Sequence, residues 1–326
     1  MSRHVVWAEE AGLLAVCIAL VLVSLVFGRA VRGHAPEIAF IRNQNDVYVL
    51  DIERGFVRQI AHSERPMNTP RWSPDGKNLT FTVIDGSGQT SIQRIDANGK
   101  MQQLFQQAAP VWSTAWSPDS NEVAFIADKQ LFLINADGSD LRQLHTFTDV
   151  RSYSLSWSPD GKNLAFIGSG ILTKPYVYLL SVKGGSTQET AVTNIPADPL
   201  ARPTWSPDSK QLAFISGSGL YLANADGSEE RHVANTTITR TSEWSPDGRL
   251  AYVSDLQLHV ASPDGEIQPL PTDLKVNRSP TWSPDGDQLA FVSGGDLYLI
   301  DAHGGTPHLI TPDADSRAIT DFVWRD

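Results

Sequence analysis

Residues 157–166 read WSPDGKNLAF. The Ser158-Pro159-Asp160-Gly161 run is a hairpin turn: proline presets φ at the second position and glycine accepts positive φ at the fourth. The Asn-Leu-Ala-Phe that follows is short, apolar and aromatic, and reads as a strand. The unit recurs along the chain. Trp72, Trp116, Trp157, Trp205, Trp244 and Trp282 each begin Trp-Ser-Pro-Asp, and Trp324 closes the chain in DFVWRD. The intervals are 44, 41, 48, 39, 38 and 42 residues. A period of about 40–45 with strand-like segments marks four-stranded propeller blades.

The interior of each repeat supports that reading. After each turn comes a strand with an aromatic at a fixed place: Phe81, Phe125, Phe166, Phe214, Tyr252 and Phe291. A second strand carries Phe132, Tyr178, Tyr221 or Tyr298, and His259 stands at this place in its own repeat. NADGS turns at 135–139 and 224–228 then lead into a short last strand such as LRQLH or PHLIT. Ser120 and Ser209 replace the turn glycine in two repeats, at a small expected cost.

The two ends complete each other. EIAFIR (37–42), DVYVLD (46–51) and VRQI (57–60) match the second, third and fourth strands of a blade, with Phe40 and Tyr48 at the aromatic places. The missing first strand is AITDFVW (318–324). The expected fold is all-β: a seven-bladed propeller over 37–326, with one blade closed by both termini. Closure removes the exposed edges an open array would leave.

These WSPDG units resemble the TolB-type propeller repeat, related in form to WD repeats. The resemblance covers residues 37–326. It implies a binding scaffold rather than an enzyme. TolB itself has six blades and a preceding α/β domain, so its partner contacts do not transfer to this chain.

Composition narrows the classes. With 41% hydrophobic residues the chain is neither disordered nor collagen-like. A lone Cys17 rules out a disulfide framework and a cysteine zinc site. A net charge of −11 argues against nucleic-acid binding. Residues 11–28 form an apolar run, read as a transmembrane helix or signal anchor between a tail (1–10) and a linker (29–36). The competing reading is a cleaved signal peptide ending at Gly28-Arg29-Ala30. The linker joins the face bearing the SPDG turns, so that face is expected to lie nearest the membrane. Its Asp75, Asp160, Asp247 and Asp285 would be repelled by an anionic cytoplasmic leaflet. An extracytoplasmic propeller, periplasmic or at the cell surface, is therefore preferred over a cytoplasmic one.

No catalytic residue, cofactor or metal site is expected. There is no G-x-S-x-G elbow and no phosphate loop. Of the histidines His34, His62, His145, His232, His259, His303 and His308, none is expected to converge on the channel. NADGSD (135–140) and NADGSE (224–229) resemble calcium loops but read as hairpin turns. The tryptophans are expected to pack between blades, except Trp112, which falls outside the register in a loop. Arg151, Arg202, Arg240, Arg278 and Arg317 lie in the loops entering the innermost strands. They are the candidate binding residues: a cationic rim for a carboxylate, a phosphate or an acidic peptide on the membrane-distal face. The bland reading pairs them with Asp149, Asp198, Asp273 and Asp315. The expected function is a membrane-anchored binding module or scaffold, a subunit of an envelope complex. The alternatives are a polysaccharide lyase or hydrolase, and a purely structural subunit contacting its neighbour through Trp112, Leu200 and Leu274.

Overall fold

A computed structural model of the chain describes residues 36–325, apart from 66, 86, 97–98, 109, 148–153, 170–174, 183–188, 199–200, 236–241, 277 and 312–318. The expected transmembrane helix at 11–28 lies outside the described residues. Among the described residues no helix is long and apolar enough to cross a membrane.

Twenty-eight strands, β1 to β28, form seven antiparallel four-stranded sheets among the described residues. Blade I is built from both ends of the chain. Its strand β28 (Ile319–Trp324) pairs with β1 (Glu37–Arg42), which continues into β2 (Asp46–Asp51) and β3 (Phe56–His62). The closing register sets Phe40 opposite Phe322 and Ile38 opposite Trp324. Blades II to VII follow in chain order, and their innermost strands end at Trp72, Trp116, Trp157, Trp205, Trp244 and Trp282. Trp112, expected in a loop, instead falls within the Val111–Trp116 strand, where the register shifts between Val111 and Ser113. Propensity explains this: Val-Trp-Ser-Thr suits a pleated surface, and a bulge absorbs the misfit.

The turns explain why Ser and Asp follow six of the tryptophans. In blade II the Ser73 hydroxyl donates to Asp75 at 2.6 Å and accepts the Asn78 amide at 2.9 Å. The Asp75 carboxylate in turn accepts the Lys77 amide. Ser73, Ser117, Ser158, Ser206, Ser245 and Ser283 are all buried. At Ser120 and Ser209 φ is +63° and +62°, the left-handed region that glycine would occupy freely. Their hydroxyls compensate. Each accepts a backbone amide from the turn of the preceding blade, Asp75 and Asp160 respectively, at 3.0 Å.

The core is divided among the seven inter-blade interfaces, and each holds one tryptophan. Each indole leans on the preceding blade and donates its Nε1–H to the carbonyl just before that blade's tryptophan. The acceptors are Arg71, Ala115, Ser156, Thr204, Glu243 and Thr281, at 3.0–3.3 Å. The series stops at Trp72, whose Nε1 has no partner among the described residues. Arg325 covers this seam between blades I and II. Its guanidinium stacks 5.0 Å over the Trp72 ring, donates to the Gly76 carbonyl at 2.7 Å and pairs with Glu37 at 2.6 Å. Across the second and third strands, aromatic pairs stack as their spacing implies, among them Phe166–Tyr178 at 5.8 Å. His259 joins this set, stacked 5.2 Å from Tyr252.

Candidate functional site

The innermost strands enclose the central channel, and a cavity of about 430 Å³ lies against their tryptophan ends. Its wall takes Trp72, Trp116, Trp157, Trp205 and Trp244 from five consecutive blades, with Pro74, Pro118 and Pro159 from the turns. The tryptophans are therefore both interface residues and channel wall. Trp116 and Trp205 are buried, whereas Trp72, Trp157 and Trp244 keep partial exposure.

The position before each tryptophan decides the charge of that wall. It is occupied by Arg71, Ala115, Ser156, Thr204, Glu243, Thr281 and Val323. Only Arg71 and Glu243 are charged, and both line the cavity. Arg202, three residues before Trp205, also lines it.

Arg202 keeps some surface toward the channel but is surrounded in depth by protein. That burial, followed by the charge of Arg71, pushes its guanidinium down to about 10, against the opposing pull of Glu243 and Asp321. It therefore stays cationic at neutral pH. Neither Arg71 nor Arg202 forms an ion pair among the described residues. Arg71 donates one bond, from Nη1 to the Pro70 carbonyl at 2.9 Å. Buried Nε atoms of both arginines lack partners among the described residues, as do the hydroxyls of Thr114 and Thr204, which line the same cavity. Asp321 accepts the Phe322 amide at 3.0 Å.

Of the rim arginines read from the sequence, Arg151, Arg240 and Arg317 lie outside the described residues. Arg278 is half-buried in the loop before Trp282 and makes no ion pair with Asp273 among the described residues. Arg71 was missed by the sequence reading, although a signal existed: only two blades carry a charge directly before the tryptophan. Among the other candidates, His145, His232 and His308 lie on outermost strands and His303 in an outer turn. Burial lowers the His259 pKa, which favours the neutral ring that stacks on Tyr252. In the NADGS turn the Asp137 carboxylate accepts the Ser139 hydroxyl and amide at 2.6 and 2.9 Å, as hairpin chemistry requires. Leu274, read as a contact for a neighbouring subunit, is half-buried against the core between blades VI and VII. Leu200 lies outside the described residues.

Comparison with known proteins agrees with this architecture. The family model described as the TolB beta propeller domain matches residues 34–170 and 130–300. A TolB homologue from Chlorobaculum tepidum is 30% identical over 132 residues, which is 38% of this chain and 30% of the relative. The chain spans at most 38% of the length of the first curated relatives it matches. TolB from Acinetobacter baumannii superposes with a TM-score of 0.56 at 17% identity, covering 90% of this chain and 83% of that structure. An oligogalacturonate lyase from Vibrio parahaemolyticus superposes with a TM-score of 0.62 at 15% identity, covering 83% and 84%. At these identities the structural likenesses speak for fold alone. Repeat, closed ring and family match converge: the chain belongs to the TolB β-propeller family.

Proposed function

We propose that this chain is a binding module: a membrane-anchored propeller that holds a protein partner or an anionic ligand as a subunit of a cell-envelope complex, outside the cytoplasm. The observation that carries the reading is the TolB family match across residues 34–300. Anchoring is supported by the apolar run at 11–28 and by where the chain enters the fold. Pro36 accepts the Ile52 amide at 3.0 Å, on the face that bears the SPDG turns. Exposed apolar residues Phe56, Met101, Leu141 and Ile267 stand at the outer turns of that same face. A lipid boundary would cover them. The innermost strands begin on the opposite face, and an acidic partner would dock there.

The test is affinity purification of the tagged full chain from membranes, beside a triple variant Arg151→Ala, Arg240→Ala and Arg278→Ala. A partner captured by the wild type and lost from the variant supports the rim; undiminished capture removes it. A chain that stays in the soluble fraction overturns the anchor. A second reading, a polysaccharide lyase, is favoured by the fold likeness to the oligogalacturonate lyase. Release of unsaturated product from oligogalacturonate by the purified chain would establish it, and its absence would remove it.

A further inference from the structure

Ring closure does not explain the charged interior of the channel. Several other arginines of the propeller are engaged, although Arg42 and Arg94 share the unpartnered Nε of Arg71 and Arg202. Arg325 and Arg142 pair with Glu37 and Glu122, Arg249 with Asp247, and Arg94 donates to the Ala136 carbonyl at 2.7 Å. Arg71 and Arg202 come from blades II and V, and both line the cavity, where the charge of Arg71 acts on Arg202. Like charges that share one cavity repel each other. Their buried Nε–H donors find no acceptor among the described residues, and the hydroxyls of Thr114 and Thr204, which line the same cavity, are likewise unmatched there. Buried polar groups are normally satisfied, so four orphans on one cavity wall mark a place for a ligand.

We infer that the channel is a binding site for a small organic carboxylate, its head held between Arg71 and Arg202 and its apolar body laid along the tryptophan wall. A carboxylate offers two oxygens with lone pairs in the plane that guanidinium forks match. Thr114 and Thr204 supply further donors. The volume of about 430 Å³ lies within the range of about 300–1,000 Å³ typical of small-ligand pockets. Trp72, Trp157 and Trp244, partly exposed, give the apolar body a surface. Glu243 and Asp321, which act on Arg202 from the same region, set the charge preference. They offset the positive charge there and disfavour a ligand with a second negative charge. Of the rim arginines only Arg202 takes part in this site, which does not depend on whether the others recruit a partner.

The test uses the full chain in detergent, with benzoate as the free carboxylate, inorganic phosphate as the multiply charged comparison, and a short acidic peptide as the tethered carboxylate. Titration is followed by calorimetry and by tryptophan fluorescence. Benzoate is expected to bind saturably, more tightly than phosphate, and to change the indole emission. Arg71→Gln and Arg202→Gln are each expected to weaken benzoate about 10-fold or more, the scale of a lost charge-assisted pair. Arg71→Lys should recover part of the loss. If Arg202→Gln does not fold, Arg71→Gln and Thr204→Val still carry the test. Binding of the peptide in competition with benzoate would identify the source as a partner's carboxylate and still support the site. Lys100→Ala, on an exposed turn away from the cavity, should leave benzoate affinity unchanged. No saturable binding of benzoate or peptide, or undiminished binding by Arg71→Gln, would overturn the inference.

Discussion

Trp324→Ala tests ring closure at its last link. Trp324 is 4% exposed and packs with Ile38, Phe40 and Phe322 of blade I against Ala290 and Leu299 of blade VII. Its Nε1–H donates to the Thr281 carbonyl at 3.3 Å. Truncating a buried tryptophan costs about 3–5 kcal/mol, and orphaning the Thr281 carbonyl adds about 1 kcal/mol. Unfolding entropy is about 2.1 cal/mol/K per residue, so a propeller of about 290 residues loses about 1.6 °C per kcal/mol. The expected fall in Tm is about 7–10 °C. Differential scanning calorimetry of the full chain in detergent reads it, with Phe56→Ala as control. Phe56 is 61% exposed, and its loss should move Tm by less than about 1 °C. Deleting 318–326 goes further, removing buried Ile319 and Phe322 and the Arg325 clamp together with Trp324. That loss rivals a whole domain stability of about 5–15 kcal/mol, and no cooperative melt should remain. A Trp324→Ala protein melting within about 2 °C of wild type, or an intact transition in the deletion, would refute closure as a source of stability.

Three other outcomes follow from the geometry. Trp72→Phe should cost about 1 kcal/mol less than Trp282→Phe, because only Trp282 gives up an indole hydrogen bond, to Glu243 at 3.0 Å; equal denaturation midpoints would contradict this. Ser120→Ala should destabilise more than Ser120→Gly, since alanine keeps the positive φ and loses the Asp75 contact while glycine relaxes the backbone. Thermal melts of the two variants decide it, and the reverse order would count against the compensation. Burial lowers the folded pKa of His259 below its ordinary 6.5. Protons then bind the unfolded chain more readily, so this contribution is full above about pH 6.5 and is lost as pH falls through that value toward the folded pKa. His259→Phe should flatten the Tm profile between pH 7.5 and 5 by roughly that contribution, and an unchanged slope would assign the effect elsewhere.

The blades were legible because each is a local object. A turn that needs proline then glycine, followed by a strand with an aromatic at a set place, is written within about 40 contiguous residues. Even closure could be read, since 37–60 lacks only the strand that 318–324 supplies. Trp112 was misplaced because a bulge keeps strand pairing while breaking the spacing that the repeat count relies on. The apparent flaw at Ser120 and Ser209 was visible as a glycine replacement. Its compensation was not, because the Asp75 and Asp160 amides belong to the neighbouring blade.

The candidate site divides in the same way. Period, turn chemistry and aromatic places determined the seven blades and the one tryptophan each contributes, because backbone preference and side-chain alternation act between near neighbours. Which charges share the channel was decided only by the ring. Arg71 and Arg202 lie three blades apart, one in a strand and one in a loop, with nothing in their local sequence to mark them as a pair. Closing seven twisted sheets around an axis brings them to one cavity, where burial and the charge of Arg71, absent in the extended chain, first act on Arg202.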